Sequence, residues 1–243
     1  MSWRIEHANP FALVQELPDG WAQTCIVRAP RDLPAPCLLA ILDDLHRVVR
    51  DDGTLWLALP GRSPNKQLVE LIRVLGWRVA DGARWWGALT LLTKQPEFYF
   101  NSRPRPSLSF GGDRAARCAA PHRGGGREAR RRRRAWCVPA SGVIEDEVAQ
   151  WCILAGTSPY ACGFCGAAWE RRRAAKGAPV RWTPACRHTN DRGRCLVLEP
   201  FCGLASIGTA AVRLGRGYLG IEPDGELAAR AHRRLARRLE RTR

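Results

Sequence analysis

The stretch LEPFCGLASIGTAAVRLGRGYLGIEPD, residues 198–224, decides the fold of this chain. An apolar strand, CLVL at residues 195–198, leads into it, and a glycine-containing turn then opens a helix predicted over residues 207–214. A second strand, residues 218–221, ends at Glu222. A strand, a turn, a helix and a strand that ends in an acid together suit an adenosyl group. The turn lets the backbone approach the ligand, and the second carboxylate accepts hydrogen bonds from ribose hydroxyls.

The same stretch closely resembles the cofactor motif of the S-adenosylmethionine-dependent DNA methyltransferases that modify cytosine N4 or adenine N6. That motif is typically a DPFxGSGTT turn followed by a GIE or GID strand. The resemblance implies that Glu199 faces the methionine side of S-adenosylmethionine and that Phe201 packs beside the cofactor. It also implies that Gly203 allows the close approach and that Glu222 binds the ribose.

This chain departs from the cofactor motif at two positions of the turn. The family's small polar residue is Leu204 here, and its second glycine is Ala205. A bulky side chain and a Cβ therefore enter a turn that usually has neither. A doubly wound fold that has lost the cofactor is the alternative interpretation.

A second segment resembles the catalytic part of the same family, and it precedes the cofactor motif, which is the permuted order. Family members often read CVVTSPPYWGLRD, then a helix, then LRPDGTLWLNL, whereas this chain reads CIVRAPRDLPAP, then a helix, then VRDDGTLWLAL. In the family the polar residue of SPPY or DPPY accepts a hydrogen bond from the target amine, and the aromatic ring stacks on a flipped base. The register places in this catalytic segment Ala29, Pro30, Arg31 and Asp32.

The catalytic segment is altered, because only Pro30 is retained. Ala29 has no side-chain acceptor, and Asp32 cannot stack on a base. A shifted register, residues 32–35, restores the acid and one proline but leaves no aromatic residue. Asp32 as an ordinary solvated carboxylate is a further alternative. The resemblance also includes LLTKQPEFYF at residues 91–100, and in all it covers residues 10–100 and residue 136 onward.

The remaining pattern predicts an α/β fold with a doubly wound, mostly parallel sheet of the Rossmann-like methyltransferase type. Strands are predicted at residues 21–27, 54–59, 77–79 and 87–93, and helices at residues 38–49, 67–75 and 145–154, with a turn at residues 51–53 and a basic amphipathic helix from residue 225. We predict a catalytic half at residues 1–102 and a cofactor-binding half at residues 136–160 and 195–243, with a Cys-rich insertion at residues 161–194. Residues 103–135 are predicted to form an Arg- and Gly-rich linker that is disordered or is ordered by nucleic acid, because it has too few apolar residues to fold by burial.

The Cys-rich insertion contains a candidate zinc site. Two thiolates of a CxxC knuckle, Cys162 and Cys165, can reach one metal ion, and Cys186 and His188 can supply the other pair. The insertion resembles the small zinc-ribbon-like insertion that precedes the cofactor motif in some of these methyltransferases. Cys195 is a rival ligand, and reduced thiols in an exposed loop are the alternative. Buried positions are expected for Cys25, Cys37, Cys152 and Cys202.

The charge of the chain indicates a polyanionic partner. Its formal net charge is +16, with 39 Lys and Arg against 23 Asp and Glu. Residues 103–134 contribute eleven Arg against two acids, a local charge of +9. We expect non-specific contacts to DNA phosphates from Arg130, Arg131, Arg132, Arg133 and Arg134. RNA binding, or a merely solvated segment, is the alternative for this run of arginines.

No membrane span or secretion signal is evident, so the sequence predicts a soluble, cytoplasmic protein. The leading hypothesis is a DNA amino-methyltransferase of the bacterial or phage restriction-modification type, with S-adenosylmethionine as cofactor. The second is a catalytically inactive relative, either a DNA-binding protein or a partner subunit. The sequence fixes neither the target base nor the oligomeric state.

Overall fold

A computed structural model describes residues 3–59, 65–79, 89–96, 98, 146–172, 181–188 and 192–240. The linker predicted at residues 103–135, with its run of arginines, lies outside these ranges. The amino-terminal part contains β1 (Trp3–His7), α1 (Pro10–Glu16), β2 (Ala22–Arg28), α2 (Ala35–Val48), β3 (Val49–Ala58), α3 (Lys66–Val74), β4 (Arg78–Val79) and β5 (Leu89–Thr93). The carboxyl-terminal part contains α4 (Asp146–Gly156), β6 (Ala161–Cys162), β7 (Glu170–Arg172), β8 (Arg181–Thr183), β9 (Arg192–Gly193), β10 (Leu196–Glu199), α5 (Ser206–Arg213), β11 (Gly217–Glu222) and α6 (Gly225–Glu240).

One seven-stranded sheet combines both parts of the chain in the order β1, β11, β10, β2, β3, β5, β4. The pairings from β1 to β3 are parallel, and β5 runs antiparallel to β3 and to β4. Leu198 of β10 lies opposite Cys25 of β2 on one side and Leu219 of β11 on the other. The CLVL strand and the strand that ends before the catalytic segment are therefore neighbours in the sheet.

Hydrophobic cores cover both faces of the sheet, because side chains alternate along each strand. In β2, Ile26 joins the core that contains α4, α5 and α6, whereas Cys25 and Val27 join the core that contains α1, α2 and α3. The predicted doubly wound α/β architecture is therefore the observed one. In the described residues, no helix combines the length and apolarity that crossing a membrane requires.

Two features of the fold differ from the sequence-based expectations. The turn predicted at residues 51–53 lies inside β3, where the pairing register with β2 shifts between Ala22 and Thr24. Gly53 permits this irregularity, since a Cβ there would lie 2.8 Å from the carbonyl oxygen of Gln23. The edge strand β1 and the helix α1 were not predicted, because β1 is short and only half-buried.

The connections of the sheet leave a topological switch point between β10 and β2, which we call the crevice. From β10 the chain passes through α5 to β11 on one side, and from β2 it passes through α2 to β3 on the other. The strand order therefore reverses at this point. In open α/β sheets, ligands bind at such a reversal, outside the carboxyl ends of the strands.

Candidate functional site

A buried carboxylate lies at the crevice. Glu199, the last residue of β10, has no exposed surface, and its Oε1 accepts hydrogen bonds from Nε of Arg28 at 3.0 Å and Nη2 of Arg28 at 2.9 Å. Its Oε2 accepts the hydroxyl of Tyr218 at 2.7 Å. Burial raises the pKa of Glu199 to about 7, and the positive charge of Arg28 only partly offsets this effect. Glu199 thus joins the central strands β2, β10 and β11.

Arg28 is a residue of the candidate site that the sequence pattern did not indicate. Its Nη2 also donates to the carbonyl oxygen of Cys202 at 2.8 Å and lies 3.5 Å from that of Phe201. A guanidinium therefore lies against the carbonyls of the cofactor turn, residues 199–205. The available signal was an arginine closing the apolar run CIVR, next to the catalytic segment.

The cofactor turn keeps a left-handed backbone where its side chains depart from the family motif. Gly203 has φ +53°, and Ala205 has φ +50° and ψ +46°. Ala205 is the only non-glycine residue with a positive φ in the described parts of the chain. Because a Cβ is unfavourable in this conformation, Ala205 carries strain of roughly 1 kcal/mol. The position that is glycine in the family thus retains a glycine-like conformation here.

Glu222 lies directly beside the cofactor turn. Its Oε2 accepts the backbone N–H of Gly203 at 2.7 Å, and its Oε1 accepts that of Asp224 at 3.1 Å. The side chain is almost fully buried. Each carboxylate oxygen can accept a second hydrogen bond, so Glu222 retains acceptor capacity for a ligand hydroxyl.

The other two residues of the turn have distinct neighbours. The half-buried ring of Phe201 meets the ring of Phe11 edge-on, with centroids 6.2 Å apart, and so packs against α1. Leu204 is 36% exposed, and its carbonyl oxygen accepts from Nη1 of Arg234 at 3.3 Å. The leucine at the position of a small polar residue therefore faces α6 and solvent.

The catalytic segment forms a turn at the carboxyl end of β2. Ala29 is buried and donates its N–H to the carbonyl oxygen of Ala58 at 3.1 Å. The N–H of Leu33 bonds to the carbonyl oxygen of Pro30 at 3.1 Å, so residues 30–33 close one turn. Pro30, Arg31 and Asp32 are exposed. Because Arg28 touches the cofactor turn, the segment that follows it begins beside that turn.

The four predicted metal ligands converge. The ligand atoms of Cys162, Cys165, Cys186 and His188 all lie within 4.8 Å of one another. Backbone N–H groups of Cys165 and Phe164 point at Sγ of Cys162 from 3.5 and 3.4 Å, and they lower the pKa of this thiol to about 6. The rival ligand Cys195 is not among the four and is fully buried beside Ala161 and Ala168.

This cysteine cluster lies at the amino ends of β2 and β3, whereas the crevice lies at the carboxyl end of β2. Nε2 of Gln23 donates to the carbonyl oxygen of Gly166, and Nη1 of Arg50 donates to that of Cys165, each at 2.6 Å. Gln23 lies at the amino end of β2 and Arg28 at its carboxyl end, about 17 Å apart at the usual rise of a strand. A metal ion held there would be remote from the crevice.

Solved structures with the same fold include several DNA methyltransferases. M1.HpyAVI matches with a TM-score of 0.52 and 15% identity over 96% of this chain and 99% of its own. TTHA0409 of Thermus thermophilus, complexed with S-adenosyl-L-methionine, matches with 0.54 and 13% over 97% and 93%. The cytosine-N4-specific PvuII DNA methyltransferase matches with 0.59 and 10% over 99% and 92%. No family model and no curated protein matches the sequence.

At these identities the comparisons establish the fold. The chain has the Rossmann-like architecture of these DNA methyltransferases, with a mixed, mostly parallel seven-stranded sheet. The match extends over nearly the whole length of each neighbour. Two small two-stranded sheets, β6 with β9 and β7 with β8, lie in the same segment as the cysteine cluster and fit the predicted Cys-rich insertion.

Replacing Ala205 by glycine should relieve the strain in the cofactor turn. We expect Ala205→Gly to leave the free energy of unfolding nearly unchanged. Relief of the left-handed conformation, roughly 1–2 kcal/mol, offsets the added entropy of the unfolded chain and the loss of a buried methyl group, each roughly 0.5–1 kcal/mol. Chemical denaturation measures the change. The control is Ala210→Gly in the interior of α5, which is also buried but not strained and should lower stability by roughly 1.5–2 kcal/mol. Equal destabilisation by the two substitutions would contradict the assignment of strain to Ala205.

Removing Arg28 should destabilise the protein in a pH-dependent way. The pKa of Glu199 is already about 7, and Arg28→Met should raise it further. At pH 6 the carboxyl is mostly protonated in both proteins, so the substitution costs mainly hydrogen bonds. Above pH 7 the wild-type Glu199 carboxyl ionises beside Arg28. The variant must instead keep this carboxyl protonated or bury an unpaired carboxylate, so its free energy of unfolding should fall below that of the wild type by roughly 1.4 kcal/mol more per pH unit.

Denaturation of both proteins at pH 6 and pH 9 measures this difference. Arg4→Met is the control, because Arg4 pairs with Glu6 at the surface and should show little dependence on pH. An equal deficit for Arg28→Met at the two pH values would show that Glu199 does not respond to Arg28.

Proposed function

We propose that this protein binds S-adenosylmethionine in the crevice and transfers its methyl group to an exocyclic amine of DNA, adenine N6 or cytosine N4. The observation that carries the proposal is the Glu222 carboxylate bonded to the Gly203 amide at a topological reversal of the sheet. Glu222 would accept the ribose hydroxyls, and the left-handed turn would lie against the cofactor. The fold shared with DNA methyltransferases over nearly their whole length supports the substrate class.

Bound S-adenosylmethionine would supply an activated methyl group, which the exocyclic amine would take up with release of one proton to solvent. The catalytic segment would orient the amine. Since Ala29 offers no side-chain acceptor, the amine would have to donate to a backbone carbonyl of this turn or to the exposed carboxylate of Asp32. One missing preorganised hydrogen bond costs roughly a hundredfold in rate, so we propose slow transfer.

The position of the turn favours residues 29–32 as the catalytic segment over residues 32–35. Residues 29–32 follow β2 directly, beside Arg28 and the cofactor turn. By contrast, Pro34 is the N-cap of α2 and Ala35 is its first residue, so the shifted register runs into a helix.

A catalytically inactive relative, either a DNA-binding protein or a partner subunit, is the second candidate. The specific observation in its favour is Arg28, whose guanidinium already pairs with Glu199 and the turn carbonyl of Cys202. Arg28 thus occupies the carboxylate that the resemblance assigns to the methionine side of the cofactor, so Glu199 has less acceptor capacity left for a ligand. In this second candidate the fold and the positive charge serve DNA binding without methyl transfer.

We also propose that the cysteine cluster binds zinc in a structural role. Three thiolates and one imidazole within 4.8 Å match a tetrahedral Cys₃His site. Four protein ligands leave no position open for a substrate, and the cluster lies at the opposite end of β2 from the crevice. Zinc would stabilise the two small sheets and their attachment to the amino ends of β2 and β3.

Rebuilding the catalytic segment should increase methyl transfer. The triple variant Ala29→Ser, Arg31→Pro, Asp32→Tyr restores SPPY, and proline suits position 31 because it follows the first residue of the turn closed by Leu33 and Pro30. We expect at least a tenfold faster transfer from labelled S-adenosylmethionine to mixed-sequence DNA. Calorimetry should show similar cofactor binding by both proteins.

The control adds Glu222→Ala to the triple variant. This change removes the ribose acceptor and should abolish both binding and transfer. Efficient methylation by the wild type would show that the altered segment is no handicap. A rebuilt protein that binds the cofactor but remains inactive would favour the non-catalytic candidate.

Removing zinc ligands should weaken the insertion without disturbing the crevice. Elemental analysis should find one zinc per wild-type chain and none in Cys162→Ser, Cys165→Ser. The variant should melt several degrees lower, because metal binding contributes to folding. A matched control is Cys37→Ser, which lies in α2 away from the cluster. A folded, metal-free wild type would refute the zinc proposal.

A further inference from the structure

A row of arginines on α6 lines a cleft beside the cofactor turn. The wall on the turn side is Leu204, and the helix contributes Arg230, Arg233, Arg234, Arg237 and Arg238. We call this feature the arginine cleft. The arginines recur at intervals of three and four residues and therefore lie on one face of the helix. Among the described residues, no acidic side chain lines the cleft.

The opposite side of α6 is committed to the core. Ala228, Ala231 and Leu235 are buried, and the latter two belong to the core against β10 and β11. A basic amphipathic helix that binds membranes must insert its apolar face between lipids. Because the apolar face of α6 is already covered by protein, the arginine cleft does not fit a membrane surface.

Three arginines of the cleft are available to an external anion. Arg230, Arg233 and Arg237 are exposed, and in the described parts of the chain none of them forms an ion pair. From position 230 to position 238 the helix rises about 12 Å. Like charges packed along this length repel one another. An extended polyanion relieves that repulsion better than a single small anion, which could reach only one or two guanidinium groups.

The cleft also adjoins the candidate cofactor site. Nη1 of Arg234 donates to the carbonyl oxygen of Leu204, so one residue of the cofactor turn forms part of the cleft wall. Glu222 and Gly203 lie on the other side of the same turn. A nucleic-acid strand in the cleft would therefore pass close to the crevice.

We infer that the arginine cleft binds the phosphodiester backbone of duplex DNA. Guanidinium groups bind phosphates in a bidentate manner, and duplex DNA presents one negative charge per about 1.7 Å of its axis. The choice of DNA over other phosphodiesters rests on the proposed function. The cleft is separate from the run Arg130–Arg134, which lies outside the described residues, so it supplies phosphate contacts of its own.

Binding of a fluorescent 20-base-pair DNA duplex, without cofactor and over a range of salt concentrations, tests the inference. The variant is Arg230→Gln, Arg233→Gln, Arg237→Gln, whose side chains are exposed and can be replaced without loss of packing. The matched control, Arg73→Gln, Arg78→Gln, Arg213→Gln, removes the same charge from exposed positions outside the cleft. Circular dichroism and melting confirm that each protein is folded. An RNA duplex and anionic phospholipid vesicles are the comparison ligands.

We expect the cleft variant to bind DNA at least tenfold more weakly near physiological salt. The slope of log K against log salt should become shallower by about 2.7, since each of the three lost phosphate contacts removes about 0.9. The control should change much less. Equal effects of variant and control would overturn the inference, as would tighter binding of the wild type to RNA or vesicles. Because no cofactor is present, this result is independent of whether the crevice binds S-adenosylmethionine.

Discussion

The central strands of this protein are joined at one buried carboxylate. Glu199 ends β10 inside the fold, where it accepts from Arg28 of β2 and from Tyr218 of β11. A buried charge without partners would cost several kcal/mol, so these two donors make its position at the sheet end possible. The arrangement fixes the carboxyl ends of β2 and β10 and links them to β11 through the side chain of Tyr218. The cofactor turn and the start of the catalytic segment are positioned from these two ends, and Glu222 ends β11 beside the same turn.

The two ends of β2 serve different parts of the molecule. At its amino end, Gln23 holds the knuckle of the Cys-rich insertion through Gly166 and also accepts the N–H of Leu196 through its side-chain oxygen. At its carboxyl end, Arg28 reaches the cofactor turn. A rigid buried strand therefore separates a candidate metal centre from a candidate cofactor site.

The altered residues of the candidate site are consistent with one another. Ala205 takes a conformation that favours glycine, Leu204 faces the arginine cleft, and Arg28 fills space against the turn carbonyls. The left-handed backbone of the turn is thus maintained by side chains that differ from the family motif. Under the proposed function such a site favours binding over chemistry, because cofactor binding needs the backbone shape and the Glu222 acceptor, whereas methyl transfer also needs an aligned amine.

The sequence by itself determined the doubly wound fold, the order of most helices and strands, and the four residues of the cysteine cluster. Apolar periodicity, glycine-containing turns and short-spaced ligand pairs are local signals, so they can be recognised in a single sequence. Only the tertiary structure showed the roles of Arg28 and Tyr218, because their partner Glu199 lies 171 and 19 residues away along the chain. It also decided that residues 51–53 continue β3 and that the arginines of α6 meet Leu204, since both depend on which segments lie side by side.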